Sequence, residues 1–164
     1  MKPFRPFRFT LLLLAALLAC PAMASEAPAR PQLKVETLDG ATFELAAQRG
    51  KWVIVNFWAT WCSPCIKEMP DISAYVAAHA NVSAIGLAYE DTDKAEIIAF
   101  AKAHPVSYPL AQVDMFEPPA GFEAPRGLPT TWLIAPDGRV ASRFMGPITA
   151  RDLDRAIAAG VPEK

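Results

Sequence analysis

The amino-acid sequence predicts one α/β domain, built on a mixed β-sheet with helices on both faces. The chain has 164 residues, which suits a single ordinary domain. Hydrophobic residues make up 52% of it and charged residues 20%, so we expect a buried core and not a disordered chain. Strand-like and helix-like runs alternate through its first half, and two more strand-like runs precede a last helix. This order predicts parallel and antiparallel strands in one sheet.

An N-terminal β-hairpin is the first predicted element of the domain. Residues 33–37 and 41–45 alternate apolar and polar side chains, as half-buried strands do. Asp39-Gly40 lies between them, and this dipeptide tolerates the positive φ angles of a tight turn. The sequence therefore predicts a small hairpin before the main sheet.

Two strand–helix pairs follow the hairpin. Residues 52–58 form an apolar, β-rich run interrupted only by Asn56, which is typical of a central strand covered on both faces. After Cys62, apolar residues at spacings of three and four predict a helix to about residue 79, kinked at Pro70. The second pair is a buried strand at residues 82–89 and a helix that begins near Asp93 and ends before Pro105.

The last third of the chain contains an irregular connection, a second hairpin and a helix. Residues 105–129 hold six prolines, which predicts a long segment with little regular structure. Strand-like runs at residues 130–135 and 139–145 flank an Asp-Gly turn. The last helix is expected to begin at Thr149 and to end at Gly160.

The first 24 residues have the organisation of a secretory signal peptide. Three basic residues precede an apolar run at residues 11–19, and Ala22-Met23-Ala24 is the small-x-small pattern that signal peptidase cleaves. The apolar run is shorter than the roughly 20 residues that span a bilayer. We therefore expect export and cleavage after Ala24. Lipidation of Cys20 and an uncleaved membrane anchor are the alternatives.

Residues 25–32 are expected to be a flexible linker, because they combine prolines and small residues without apolar periodicity, and residues 33–164 to form the domain. After cleavage the chain would keep 13 basic and 17 acidic residues, a net charge of −4. This balance argues against binding of nucleic acid, whose backbone needs a basic surface. Only Cys62 and Cys65 would remain, too few for a disulfide-stapled mini-protein.

The predicted chemical centre is Cys62-Ser63-Pro64-Cys65, at the point where a buried strand turns into a helix. The N-terminus of a helix favours a thiolate, so Cys62 is expected to be the attacking sulfur. Cys65, one turn inside the helix, is expected to attack the mixed disulfide that Cys62 forms with a substrate.

A zinc site and an inert structural disulfide are the alternatives for the two cysteines. Zinc needs about four ligands, and beyond these cysteines the exported chain offers only His79 and His104, on separate predicted elements. A disulfide that closes so small a loop adds little stability. We therefore expect no metal and no other cofactor.

The residues around the cysteines resemble a known family. The segment VNFWATWCSPC at residues 55–65, followed by Glu68-Met69-Pro70, is similar to the active-site segment of thioredoxin-like proteins of the TlpA, ResA and CcmG type. The similarity continues through GLPTT at residues 127–131 and covers nearly all of the predicted domain. It implies a thioredoxin-like fold and a thiol-disulfide oxidoreductase. Residues 115–125 depart from the family pattern, in which a short helical turn is usual.

The resemblance also implies roles for single residues. Pro129 matches the family's cis-proline, whose loop exposes the Leu128 backbone for pairing with a substrate peptide. Asn56 stands where cytosolic thioredoxins have a buried aspartate, and an amide cannot take a proton. Glu90, at the end of the next strand, is therefore expected to exchange a proton with Cys65. The residues expected to contact the substrate are Trp61, Ser63, Pro64 and Leu128.

Neighbouring side chains of the motif are expected to be structural. Trp58 is expected in the core and Trp61 at the exposed rim of the site. The charges of Lys67 and Glu68 are expected to form a solvated face of the helix.

The expected function is reduction of disulfides in selected periplasmic or other envelope proteins. Pro64 stands at the second position between the cysteines, as in reducing thioredoxins. An exported reductant implies a membrane electron donor of the DsbD or CcdA type. The substrates that the resemblance suggests are apocytochrome c and copper-delivery proteins.

Three other functions are alternatives. A dithiol oxidase would run the same chemistry in the opposite direction, and a binding module would use the thioredoxin fold without catalysis. A thiol peroxidase is disfavoured, because Ala59 stands where such enzymes carry a threonine three residues before the reactive cysteine.

Overall fold

The computed structural model of the chain describes Met1 and residues 30–160. The predicted signal peptide after Met1, residues 25–29 of the predicted linker and residues 161–164 lie outside the described residues. Within residues 30–160, no helix is both long enough and apolar enough to cross a membrane.

A two-stranded hairpin precedes a five-stranded sheet. The hairpin consists of β1 (Lys34–Glu36) and β2 (Thr42–Glu44), and Gly40 in its turn has a φ of +84°. The strands of the sheet are β3 (Trp52–Trp58), β4 (Val82–Tyr89), β5 (Leu110–Val113), β6 (Thr130–Ile134) and β7 (Val140–Met145). The helices are α1 (Ser63–Ala78), which continues through Pro70, α2 (Lys94–Ala103) and α3 (Ala150–Gly160).

β3 lies at the centre of the sheet, whose order is β5-β4-β3-β6-β7. It pairs in parallel with β4 and antiparallel with β6, so the predicted mixed sheet with an N-terminal hairpin is confirmed. Every residue of β3 is buried. Its side chains alternate between two clusters, with Ile54 and Trp58 in one and Val55 and Phe57 in the other.

β5 is a strand that the sequence patterns did not predict. Pro109 and Pro118 flank it, and the prediction of an irregular connection overlooked the eight proline-free residues between them. Leu110, Ala111 and Val113 are buried, and β5 pairs in parallel with residues 86–89 of β4. The prediction is therefore wrong for residues 110–113. Between β5 and β6 the chain does form an irregular connection.

The three α-helices pack on one face of the sheet, whereas the sequence predicts helices on both faces. Met69 of α1, Ile97 of α2 and Leu153 of α3 all lie in the same buried cluster as Ile54 of β3. The strand β5 explains this. Because parallel crossovers are right-handed, two successive crossovers in the same direction, β3-α1-β4 and β4-α2-β5, place both helices on one face.

The other face is covered by the hairpin, by a turn of 3-10 helix at Leu45–Gln48 and by the irregular connection. Phe122 of this connection is buried and meets Phe57 and Trp132 edge to face, with ring centroids 5.9 and 5.5 Å apart. Aromatic pairs in this geometry contribute beyond the area that they bury. Phe122 therefore holds the proline-rich connection against the sheet.

Gly86 leaves no room for a side chain in the middle of β4. A Cβ there would lie 2.5 Å from Cδ2 of Leu110, 3.1 Å from Nε1 of Trp58 and 3.3 Å from Cε2 of Tyr108. We predict that Gly86→Ala lowers the free energy of unfolding in urea by about 1–3 kcal/mol through overpacking. Gly127→Ala is the control, because a Cβ there has no atom within 4 Å. Equal stability of the two variants would contradict this packing.

Candidate active site

Cys62 and Cys65 form a disulfide at the junction of β3 and α1. Cys62 is the N-cap of α1, and its Sγ accepts a hydrogen bond from the Cys65 backbone N–H at 3.3 Å. In the reduced protein this sulfur lies at the positive end of the helix dipole, where a thiolate is stabilised.

The two sulfurs differ in their access to solvent. Cys62 keeps 4% of its surface exposed, and Cys65 keeps none. Trp61 beside Cys62 is 70% exposed, whereas Trp58 is fully buried, as the sequence predicts. Ser63 and Pro64 are exposed. A partner therefore meets the disulfide from the Cys62 side, past the ring of Trp61.

The Leu128–Pro129 peptide bond is cis, the conformation that the sequence predicts for Pro129. Leu128 is half-buried and packs against the core cluster that contains both cysteines. The Pro129 carbonyl accepts a hydrogen bond from the Gly146 N–H at 2.9 Å, which joins this loop to the end of β7. The position of this loop against the disulfide and its pairing with a substrate peptide stay predictions.

Glu90 fixes the loop that leads into the active site. It follows β4 directly and is 7% exposed. Its Oε1 accepts the Thr60 N–H at 2.8 Å, and its Oε2 accepts the Thr60 hydroxyl at 2.9 Å. Both carboxylate oxygens therefore hold Thr60, two residues before Cys62. The predicted proton exchange between Glu90 and Cys65 stays a prediction.

Glu68 is buried, and the expectation that it is solvated is wrong. It is 3% exposed, whereas its neighbour Lys67 is exposed. Its Oε1 accepts a hydrogen bond from Nδ2 of Asn56 at 2.7 Å, and its Oε2 accepts the Ile148 N–H at 2.9 Å. The carboxylate therefore joins α1 to β3 and to the loop before α3.

Burial raises the pKa of Glu68 from its ordinary value of 4.5 to about 7. The hydrogen bonds from Ile148 and Asn56 lower this pKa, and the charge of Asp71 adds to the rise. Glu68 follows Cys65 by three residues, so the two side chains lie on the same face of α1. A carboxyl group that titrates near neutral pH therefore lies one turn from the second cysteine.

Glu68 is a functional candidate that the sequence interpretation missed, although the sequence contains a signal for it. Cys65, Met69 and Ile72 mark the apolar stripe of the helix, and Glu68 lies within this stripe. A charged residue in an apolar stripe is expected to be buried and paired, which is what the structure shows.

No three or more histidine, cysteine, aspartate or glutamate side chains among residues 30–160 form a group that could hold a metal ion. The structure joins the two sulfurs in a disulfide, places Glu68 one turn further along α1 than Cys65, and places Glu90 against Thr60 in the loop before Cys62.

Comparison with known proteins identifies relatives along most of the chain. A family model described as the AhpC/TSA family matches residues 26–143. The thiol-disulfide oxidoreductase ResA of Bacillus cereus is 35% identical over 128 residues, which are 76% of this chain and 72% of that protein.

Solved structures show the same fold. A DsbF homologue from Corynebacterium diphtheriae superposes with a TM-score of 0.71 at 25% identity, over 84% of this chain and 89% of that chain. A secreted Mycobacterium tuberculosis disulfide oxidoreductase homologous to E. coli DsbE has a TM-score of 0.66 at 25% identity, over 79% of this chain and 97% of that chain. The thioredoxin-like fold, the Cys62–Cys65 pair and these relatives together show that the chain belongs to the AhpC/TSA family, as a thiol-disulfide oxidoreductase of the ResA type.

Proposed function

We propose that this protein reduces disulfides in selected proteins of the cell envelope through its Cys62/Cys65 dithiol. One observation carries the proposal, namely that the disulfide lies at the N-terminus of a helix, where Cys62 keeps a small exposed surface beside the exposed Trp61 and Cys65 is enclosed. In this arrangement Cys62 can attack a partner disulfide, and Cys65 can then resolve the mixed disulfide and release the partner. The Ser63-Pro64 dipeptide and the resemblance to ResA-type proteins support reduction over oxidation.

The reaction begins with the reduced protein. The Cys62 thiolate attacks one sulfur of the substrate disulfide, a mixed disulfide forms, and the other substrate sulfur leaves as a thiolate. The Cys65 thiolate then attacks Cys62 Sγ, which closes the Cys62–Cys65 disulfide and releases the second substrate sulfur. Two electrons pass to the substrate, and its two thiolates take up protons. A membrane electron donor of the DsbD or CcdA type would supply the electrons that restore the dithiol.

Cys65 must lose its proton before it attacks, and two carboxyl groups are candidates to accept it. Glu90, which the sequence suggests, already binds Thr60 with both oxygens. Glu68 lies on the face of α1 that carries Cys65, and its pKa of about 7 suits proton exchange at neutral pH. We therefore propose Glu68 as the proton acceptor, with Glu90 holding the loop before Cys62.

The substrate-binding surface is proposed to surround the exposed edge of the disulfide. The backbone of Leu128, beside Pro129, would pair with an extended segment of the partner. The side chains proposed to contact this segment are those of Trp61, Ser63 and Pro64.

The proposed location is the periplasm, and the proposed partners are disulfide-containing envelope proteins such as apocytochrome c or copper-delivery proteins. The signal-peptide pattern that ends at Ala24 and the resemblance to exported thioredoxin-like proteins support this location.

Alkylation tests which sulfur attacks. In the reduced protein at mildly acidic pH, iodoacetamide should label Cys62 much faster than Cys65, because Cys62 lies at the helix N-terminus and keeps some exposure. Mass spectrometry of timed samples measures both rates. Equal rates, or faster labelling of Cys65, would reverse the assignment.

A trapping variant tests the proposed selectivity. Cys65→Ser removes the resolving sulfur, so mixed disulfides should accumulate between Cys62 and a few envelope proteins, visible on non-reducing gels and identifiable by mass spectrometry. The double variant Cys62→Ser/Cys65→Ser is the control and should form none. Adducts with a large, indiscriminate set of proteins would contradict selectivity, and partner function that survives Cys62→Ser would indicate a binding module.

A matched pair of substitutions tests the proton acceptor. Below pH 7 the carboxyl group of Glu68 becomes protonated and cannot accept a proton, so the wild-type rate of resolution should fall as the pH is lowered through about 7. Glu68→Gln should abolish this pH dependence and slow resolution of the mixed disulfide by about 10²–10⁴-fold. Glu90→Gln should keep the pH dependence. The opposite pattern in stopped-flow pH profiles would return the role to Glu90.

The pH dependence of the free energy of unfolding tests whether Glu68 titrates near neutral pH, and the same measurement shows whether Glu68→Gln folds. Because the pKa of Glu68 is raised from 4.5 to about 7 on folding, the folded state binds the proton more tightly than the unfolded state. Wild-type stability should therefore fall as the pH rises from about 4.5 to about 7 and level off above pH 7. The full effect is on the order of 3 kcal/mol. In Glu68→Gln this fall should be absent, and urea denaturation at several pH values measures it. An identical fall in both proteins would show that Glu68 does not titrate there.

A further inference from the structure

A groove begins at Trp61, the residue before Cys62, and extends along the first residues after β5. A cavity of about 360 Å³ opens between Trp61 and Met115, and a second of about 500 Å³ lies between Phe116 and Val35 of the hairpin. The two cavities share the lining residues Glu90, Asp91 and Met115, so they adjoin. We call the pair the Met115 groove.

One wall of the Met115 groove presents apolar side chains to solvent. Met115 is 36% exposed and Phe116 is 77% exposed, and Trp61 at the end near Cys62 is 70% exposed. Large apolar side chains grouped at the surface mark interaction sites, because their contact with water is unfavourable.

The backbone of this wall is held in place although its side chains are exposed. The Tyr89 hydroxyl donates a hydrogen bond to the Met115 carbonyl at 2.7 Å, and Oδ1 of Asp114 accepts the Phe116 N–H at 2.7 Å. Further along the same connection, Phe122 is buried in the core. The wall is therefore a positioned surface that loses little conformational entropy when a partner binds.

The charge of the Met115 groove is strongly negative. Among the described side chains that line it, five are acidic and one is basic, and the Nζ of the basic Lys94 already pairs with Oε1 of Glu36 at 2.7 Å. The acidic residues are Glu36, Glu90, Asp91, Glu96 and Asp114. Such a lining favours a cationic partner and disfavours an anionic one.

We propose that the Met115 groove binds the polypeptide segment next to the reactive cysteine of a substrate, and that it selects segments carrying a lysine or arginine beside an apolar side chain. The proposal rests on the reductase function proposed above and adds the chemistry by which substrates are chosen. A basic side chain could lay its aliphatic stem along Met115 and Phe116 while its charge meets Asp91 and Asp114. The rings of Trp61 and Phe116 offer the same cation a favourable face.

The position of the groove favours a segment of the substrate as the occupant. It begins at Trp61, which precedes Cys62 directly, so a chain joined to Cys62 in a mixed disulfide would lie within reach of its entrance. Its apolar wall lies in the stretch at residues 115–125, where this sequence departs from the pattern that it otherwise resembles. The groove is therefore suited to distinguish the partners of this chain.

Peptide substrates test the preference. Two peptides of equal length with one internal disulfide differ in the residues next to the attacked cysteine, Lys-Leu in one and Glu-Leu in the other. The full chain, expressed with its own N-terminal segment and reduced, is mixed with each. We expect the Lys-Leu peptide to be reduced about tenfold faster at low ionic strength, and most of this difference to disappear in about 1 M salt. Equal rates at low ionic strength would overturn the proposal.

Substitutions locate the preference in the groove. Asp91→Asn should lower the ratio of the two rates about two- to fivefold, the effect of one exposed charge. Phe116→Ser should slow reduction of the Lys-Leu peptide more than that of a Lys-Ser peptide. Glu117→Gln is the matched control, because it removes a charge from the same connection outside both cavities. If Glu117→Gln and Asp91→Asn change the ratio of the two rates equally, the Met115 groove is not the source of the preference.

A small neutral disulfide distinguishes failure of the groove proposal from failure of the proposed reductase function. If the wild-type protein reduces hydroxyethyl disulfide but does not discriminate between the peptides, the groove proposal is wrong and the reductase function stands. If it reduces neither the small disulfide nor the peptides, the reductase function is wrong and the substrate preference falls with it.

Discussion

Burial of β3 on both faces is the constraint on which the rest of the structure depends. All seven residues of the strand are buried, so one face requires the three α-helices and the other requires the hairpin and the proline-rich connection. Cys62 follows the end of β3 by four residues. The hydrophobic burial that stabilises the fold therefore also places the reactive disulfide just beyond the carboxyl end of the central strand.

Asn56, the polar residue within β3, connects this core to the chemistry. Its Nδ2 donates to Oε1 of Glu68 at 2.7 Å and to the Thr131 hydroxyl oxygen at 3.0 Å. One amide group thus links β3 to the helix that carries Cys65 and to the strand that follows Pro129. A buried carboxyl group without such partners would be strongly unfavourable. With them, Glu68 lies in the core, where burial raises its pKa to about 7.

Local patterns in the sequence predict the central elements well and miss those that depend on distant partners. Residues 52–58 and 82–89 are long apolar runs, and the structure forms β3 and β4 at these residues. β5 has only four residues in a segment rich in prolines, and its burial depends on β4. Glu68 stands beside the exposed Lys67, and its partners Asn56 and Ile148 lie 12 and 80 residues away in the chain. The apolar stripe of α1 indicates that Glu68 is buried, but no local pattern identifies these partners.

The redox midpoint of the Cys62/Cys65 pair, measured against glutathione buffers, tests most directly the claim that this dithiol donates electrons to its partners. We predict a midpoint near the value of about −270 mV that is typical of a thioredoxin. Each 30 mV is equivalent to about 1.4 kcal/mol for a two-electron couple, so the measurement separates donor from acceptor with a wide margin. A midpoint close to the value of about −120 mV of a strong oxidant would contradict the claim and reverse the direction of the reaction.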